Sequence, residues 1–201
     1  AAMAADGLDL LVAFAPGWRR ENVRYLCDAP VRASAALALL PASGAPSAFS
    51  LRAADLGVFA ARGWVPDVHR IDLADAEAPG GRELIFRLRE GAPKRIGVAH
   101  LELLPALLAD AIQRAVPTAE IVSATALMDG VRLVKSEWEL AKMRRASEVC
   151  AAGWQAFVDV LEPGLPEYRI VAAVEGELRR HGAEDNFMLI ASGGDEVRGM
   201  T

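Results

Sequence analysis

Long apolar runs, basic clusters and metal-binding spacings are all scarce in this 201-residue chain. The longest mostly apolar stretches, Leu8 to Ala15 and Ala33 to Ala42, fall far short of the ~20 residues that cross a bilayer. The N-terminus has no charged segment ahead of an apolar one, so no secretory leader and no membrane partner are expected. No basic run exceeds Arg179-Arg180, and the net charge is −5. That balance gives no electrostatic footprint for nucleic acid. The two cysteines, Cys27 and Cys150, lie in separate apolar stretches. They argue against a disulfide framework and fit a reducing cytoplasm.

The three histidines, His69, His100 and His181, are far apart. No His-x-x-x-His or Glu-x-x-His occurs, so no helical metal site is expected. Ser192 is not in a Gly-x-Ser-x-Gly elbow. Ser192-Gly193-Gly194 also lacks the Lys-Ser/Thr of a phosphate loop. Cys150, Trp138 and Trp154 read as packing residues. Asp72, Asp75 and Glu77 read as a solvated acidic turn, and His181 with Glu184 and Asp185 as a helix end followed by a polar turn. From residue types alone, no catalytic constellation is visible.

What the chain does have is 53% apolar and 24% charged residues, an ordinary globular composition. Its length suits one or two domains. Gly7 to Phe14 reads as a strand covered on both faces. Asn22 to Cys27 is a short aromatic-containing segment before a turn. Ala35 to Leu40 and Ala48 to Leu51, separated by Gly44-Ala-Pro46, read as a hairpin. Ala53 to Arg62 reads as a helix ended by Gly63. Val68 to Leu73, Arg95 to Ala99 and Glu120 to Val122 are strand candidates. Gly80 to Glu90 and Leu101 to Ala115 are helix candidates with apolar faces. A hairpin followed by alternating βα units predicts a mixed-sheet α/β domain.

The chain then changes character, with the joint expected between Ser123 and Gly130 and a linker from Asp129. Ser136-Glu-Trp-Glu139 has the form of a capping box. The helix it starts carries Met143, Ala146, Cys150, Gly153, Trp154, Phe157 and Leu161 as an apolar stripe. After Pro163-Gly164, a second helix presents Ile170, Val171, Val174 and Leu178. Arg179, Arg180 and His181 suit its C-terminal end, and Gly182 suits the C′ position. Phe187 to Ala191 has the composition of a buried strand.

Several of these residues resemble the creatinase/prolidase/aminopeptidase P metallopeptidase family, the M24 or pita-bread group. From Val131 onward they are Arg132, Lys135-Ser136, Glu139, Met143-Arg144, Ala146, Pro163-Gly164, Glu167, Gly182-Ala183 and Ala191-Ser192-Gly193. Upstream, Gly7-Leu-Asp-Leu-Leu-Val12 and Asn22-Val-Arg-Tyr-Leu26 resemble its creatinase-type N-terminal domain. The resemblance implies an N-terminal α/β domain over residues 1–128 and the opening of an α+β pita-bread catalytic domain over 129–201. It implies a cytoplasmic homodimer acting on an Xaa-Pro peptide, or on a small-molecule substrate in relatives of creatinase, ectoine-derivative hydrolase or sulfonium lyase type. A non-catalytic dimerisation or binding module is the third reading. The family's cofactor is a divalent metal pair (Mn, Co or Zn), bound by two Asp, one His and two Glu downstream of the Ser-Gly strand. None of those ligands maps onto this sequence, so no catalytic, cofactor-binding or metal residue is assigned, and the 201 residues alone are expected to be inactive. The family peptidases also carry a functional His just after the Ser-Gly turn. Residues 193–200 contain none, and Met200 falls near that place.

Overall fold

The structure of the chain, a computed structural model, describes residues 1–62, 64–72 and 79–193. It forms two compact units, Ala1–Val134 and Lys135–Thr201.

The first unit is a six-stranded mixed sheet. Its strands are β1 (Leu10–Pro16), β2 (Ala35–Pro41), β3 (Ser47–Ser50), β4 (Asp67–Arg70), β5 (Arg95–Ala99) and β6 (Glu120–Ser123), in spatial order β4-β3-β2-β1-β5-β6. β1 pairs antiparallel with β2 and parallel with β5. β2 and β3 form the expected hairpin. β3–β4 and β5–β6 are parallel pairs, each joined through a helix as parallel strands require. The helices are α1 (Ala2–Ala5), α2 (Glu21–Cys27), α3 (Ala53–Arg62), α4 (Pro79–Arg89), α5 (Ala106–Ala115) and α6 (Thr125–Leu133).

Because side chains alternate along a strand, the two sheet faces separate by size. One face carries Leu10, Val12, Phe14, Leu37, Leu39, Phe49, Ile96 and Val98, packed against Leu84 and Leu88 of α4 and Leu108 and Ile112 of α5. The other is mostly small, carrying Ala13, Ala15, Ala36, Ala38, Ala48 and Ala99 beside Leu11. It is covered by Val23 and Cys27 of α2, Phe59 of α3 and Met128 of α6. Gly97 shares this small face. A Cβ there would lie 2.6 Å from Leu8 Cδ1 and 2.8 Å from the Ala124 Cβ.

Where the structure departs from the sequence-based expectations, neighbouring residues supply the reason. The helix expected from Leu101 to Ala115 is split into a 3-10 turn, Leu101–Leu103, and α5. Pro105 drives Leu104 into an extended conformation, φ −62° and ψ 131°, because the residue before proline avoids the helical region. Residues 129–134, read as part of a linker, largely belong to α6, whose Met128 is buried against the small face. β4 ends at Arg70. Gly63, Leu73, Asp75 and Glu77 lie outside the described residues, as do Gly194 and Met200.

The second unit contains α7 (Glu137–Val160) and α8 (Glu167–Arg180). The capping box forms as read: Ser136 Oγ accepts from the Glu139 amide at 3.3 Å, and the Ser136 amide donates to Glu139 Oε2 at 2.7 Å. α8 closes with the paired bonds of a Schellman motif, Ala183 N–H to Leu178 O and Gly182 N–H to Arg179 O, with Gly182 at φ 89°. α7 and α8 meet at Gly153, where a Cβ would stand 2.6 Å from Leu178 Cδ2.

Two expectations fail here. The α7 stripe is not a buried core face: Met143 is 55% exposed, Trp154 66% exposed, Cys150 is exposed, and Gly153 is the one buried residue of the helix. Periodicity identified the face but could not supply its cover. Phe187 to Ala191 is no strand, since it finds no pairing partner among the described residues. Buried amide atoms of Asn186 there also make no hydrogen bond.

Two outcomes follow from the sheet. Gly97→Ala pushes a methyl into Leu8 and Ala124, and thermal or denaturant unfolding should show a loss of about 1–3 kcal/mol. Asp9 stands before β1 and accepts from the amides of Lys94 and Arg95 at 2.8 and 3.0 Å. The amides of Lys94 and Arg95 hold its carboxyl below the usual value. A depressed folded-state pKa means the unfolded chain binds the proton more readily. The contribution of Asp9 is therefore present at neutral pH and lost as pH falls through its folded pKa. Melting temperatures of wild type and Asp9→Asn should differ at pH 7 and converge in strong acid.

Candidate functional site

β1 and β5 are adjacent and parallel, and the helices that follow them go to opposite faces. α2 packs on the small face and α5 on the large one. The carboxyl ends of such a strand pair are where open α/β sheets form ligand crevices. Here the position is filled by the protein's own polar side chains.

His100 directly follows β5, is 1% exposed, and has a left-handed backbone at φ 63°. Its ring Nδ1 lies 3.0 Å from the Phe14 carbonyl oxygen. A carbonyl can only accept, so Nδ1 carries the proton and Nε2 of the neutral ring accepts. Arg19 Nη2 reaches Nε2 at 3.1 Å and Asn22 Nδ2 at 3.4 Å. The His100 amide donates to Thr125 Oγ1 at 2.9 Å. Asn22, fully buried, accepts from Arg132 Nη1 at 3.1 Å. Glu21 Oε1 sits 3.5 Å from His100 Nε2 and pairs with Arg19. Burial pushes the Glu21 carboxyl up, but its own amide and the Arg19 guanidinium outweigh that and hold it below its ordinary value. The network ties α2, β5 and α6 together across sequence separations of 78 to 110 residues.

The other candidates resolve differently. Asp67, His69 and Glu83 bring three possible ligand atoms within 4.8 Å of one another. His69 Nε2 is 2.7 Å from Asp67 Oδ1, and its ring stacks on Phe49. The cation between the carboxylates is Arg87, whose Nε lies 3.0 Å from both Asp67 Oδ2 and Glu83 Oε1. Burial opposes the charge of Arg87, but Glu90, Asp67 and Glu83 together raise its pKa. Burial pushes the Cys27 thiol up to about 12, too high for a nucleophile at neutral pH. His181 pairs with Glu177 within α8 at 3.0 Å. Trp138 and Trp154 are exposed, Trp138 under Lys142 and Trp154 stacked on Phe157.

In the second unit, Ser192 gains a partner that the sequence did not indicate. Its amide and hydroxyl both donate to Glu167 Oε1, at 2.5 and 2.6 Å.

With this geometry in view, the comparisons with known proteins are decisive for family. Residues 1–134, the same span as the first unit, match the Creatinase/Prolidase N-terminal domain. The chain belongs to that family. Residues 141–197 match the metallopeptidase family M24. An uncharacterized hydrolase/peptidase of Sinorhizobium fredii, y4tL, is 34% identical over 92 residues, 46% of this chain and 24% of its own length. The X-Pro aminopeptidase from Thermotoga maritima MSB8 aligns with a TM-score of 0.68 and 18% identity, over 90% of this chain and 48% of that one. The prolidase from Pyrococcus horikoshii OT3 aligns with a TM-score of 0.67 and 17% identity, over 90% and 47%. At these identities the likeness is one of fold. The chain spans about half the length of those solved structures.

An M24 metal pair asks for a gathered set of carboxylates and an imidazole. Among the described residues, the one such group is Asp67, His69 and Glu83 in the first unit, and both of its carboxylates already pair with Arg87. The described residues of the second unit gather none, and one three-residue group already paired to Arg87 does not supply the ligands of a dinuclear centre. No described helix is long and apolar enough to cross a membrane.

Asn22 and Arg132 belong to motifs visible in the sequence. Their contact was not, because no local pattern links residues 110 apart. Removing the hub should be costly. His100→Ala leaves Asn22 and the Phe14 carbonyl without their buried partner, and a loss of about 2 kcal/mol or more is expected in denaturant unfolding.

Proposed function

We propose that the protein is a hydrolase of the prolidase type that cleaves peptides at an Xaa-Pro bond. The observation that carries this reading is the order of the two matches, the creatinase/prolidase N-terminal domain over 1–134 and the M24 peptidase family over 141–197. Similarity in fold to an X-Pro aminopeptidase and a prolidase supports it. In this reading the first unit is the non-catalytic domain and α7 and α8 open the catalytic one. A divalent metal pair (Mn, Co or Zn) serves the whole protein through ligands outside the described residues. A homodimer in the cytoplasm is part of the same proposal. The unpaired Cys150 on the surface suits a reducing compartment.

The test uses the whole protein, purified with Mn²⁺ and offered Ala-Pro, Leu-Pro, Ala-Ala, creatine and a sulfonium compound. We expect kcat/KM for the Xaa-Pro dipeptides to exceed that for Ala-Ala by about tenfold or more. Turnover of creatine or the sulfonium compound, with none of the dipeptides, overturns it. The 201 residues alone should hold no stoichiometric metal pair in elemental analysis, and light scattering should report a dimer of the whole protein.

A further inference from the structure

The six-stranded sheet has β4 and β6 as its two outer strands, and their sequences differ. An outer strand presents unpaired N–H and C=O groups, and charged side chains are a usual guard against unwanted pairing. β4 has that guard: Asp67, His69 and Arg70 stand on it, and Asp67 pairs with Arg87 of α4. β6 reads Glu120-Ile-Val-Ser123, with its one charge at the first residue. The amides of Glu120 and Ala124 donate to the carbonyls of Lys94 and Val98, on the β5 side, at 2.8 and 2.9 Å. In a parallel pair the residues that bond one neighbour alternate with those that face away from it. The backbone groups of Ile121 and Ser123 therefore point away from β5, and among the described residues they meet no backbone partner. The Ile121 side chain packs with the large-residue face of the sheet. There it lines a pocket of about 180 Å³ with Leu101, Leu104 and three residues of α5, Ala109, Ile112 and Gln113. Only Gln113 among these is polar. The volume lies below the ~300–1,000 Å³ of small-molecule sites and suits a single aliphatic side chain. Ile121 thus joins the two features, with its backbone on the open edge and its side chain in the pocket wall.

We propose that β6 is a docking edge for an extended peptide segment of another protein, which adds as a seventh strand and places one leucine-sized side chain in the Ile121 pocket. The edge and the pocket ask for the same occupant. Outward N–H and C=O groups at alternate residues are matched by another strand, whose main chain supplies affinity while side-chain pockets supply specificity. A strand laid along β6 sends every second side chain to the α5 side, and the one opposite Ile121 comes within about 5 Å of it. A second copy of this chain is the poorer fit. Its own β6 offers that face only Ile121 and Ser123, so self-pairing sets pocket beside pocket with nothing to fill either. Nothing in this docking depends on the hydrolase reading.

The probe is acetyl-Lys-Thr-Val-Leu-Val-Thr-Lys-amide, whose blocked ends and lack of proline keep it out of any Xaa-Pro hydrolysis. Its lysines complement the net charge of −5. In calorimetric titration the whole protein should bind it saturably at one site, and amide exchange at Ile121 and Ser123 should slow by about tenfold or more on saturation. Replacing the leucine of the probe by alanine should weaken binding about tenfold, the worth of the apolar surface it buries. Ala109→Leu, which fills the pocket from α5, should weaken binding of the probe by a similar factor while thermal stability is held. Ser123→Pro removes an outward donor at an edge position where proline leaves the β5 ladder intact, and should weaken binding severalfold. The absence of saturable binding, or binding indifferent to the leucine and to both variants, overturns the proposal. So does binding by the 201-residue chain but not by the whole protein, because the edge is then covered from within. If light scattering shows a dimer of the whole protein that Ser123→Pro dissociates and the probe does not, the occupant is a second copy and the peptide reading falls.

Discussion

Helices α2, α3 and α6 can lie close to the sheet because the residues beneath them are Ala13, Ala15, Ala36, Ala38, Ala48, Gly97 and Ala99. Van der Waals contact dies away within an ångström of gap. Small strand residues therefore place the bulk on the helix side, in Val23, Phe59 and Met128. The opposite face reverses the arrangement, with Leu, Val, Ile and Phe rising from the strands to meet α4 and α5. The start of α2 and the start of α6 reach the end of β5 from the alanine-rich face.

That closeness makes the His100 hub possible. A buried imidazole needs both ring nitrogens satisfied. Here there are three partners: the Phe14 carbonyl in β1, Arg19 just before α2, and Asn22 within it. Arg132, near the end of α6, then closes on Asn22. The left-handed backbone of His100 is uncommon for a residue with a side chain. It turns the chain out of β5 while leaving the ring pointing back into the interior. In related sheet architectures a ligand takes this crevice. Here it is a joint between secondary-structure elements.

Much of the local architecture was legible. The hairpin around Gly44-Ala-Pro46, the Ser136–Glu139 capping box and the Gly182 helix stop each depend on residues within a few positions of one another, and the structure contains all three. The family was legible too, through motifs such as Asn22-Val-Arg-Tyr-Leu26 and Pro163-Gly164, which lie within the two matched spans. What could not be read depended on partners distant in sequence. α2 has no side-chain cap to announce it and is held by burial of Val23 and Cys27. The α7 stripe announced a buried face that the described neighbours do not cover. The Phe187 to Ala191 run had strand composition but needed a second strand to become one. The Glu167–Ser192 contact joins two motif residues whose spacing of 25 carries no periodic signal.

The order of pairing around β1 has a consequence for how the protein is made. β1 meets β2 across a connection that holds only α2, but its other edge waits for β5, with Leu10 opposite Ile96. At ordinary rates of translation those 86 residues take roughly 4 to 17 seconds to appear. During that interval a seven-residue apolar strand on the nascent chain has one edge unpaired. An open edge of that kind recruits other strands, so the emerging polypeptide is most vulnerable to misassembly, and most in need of a chaperone, just before β5 is synthesised.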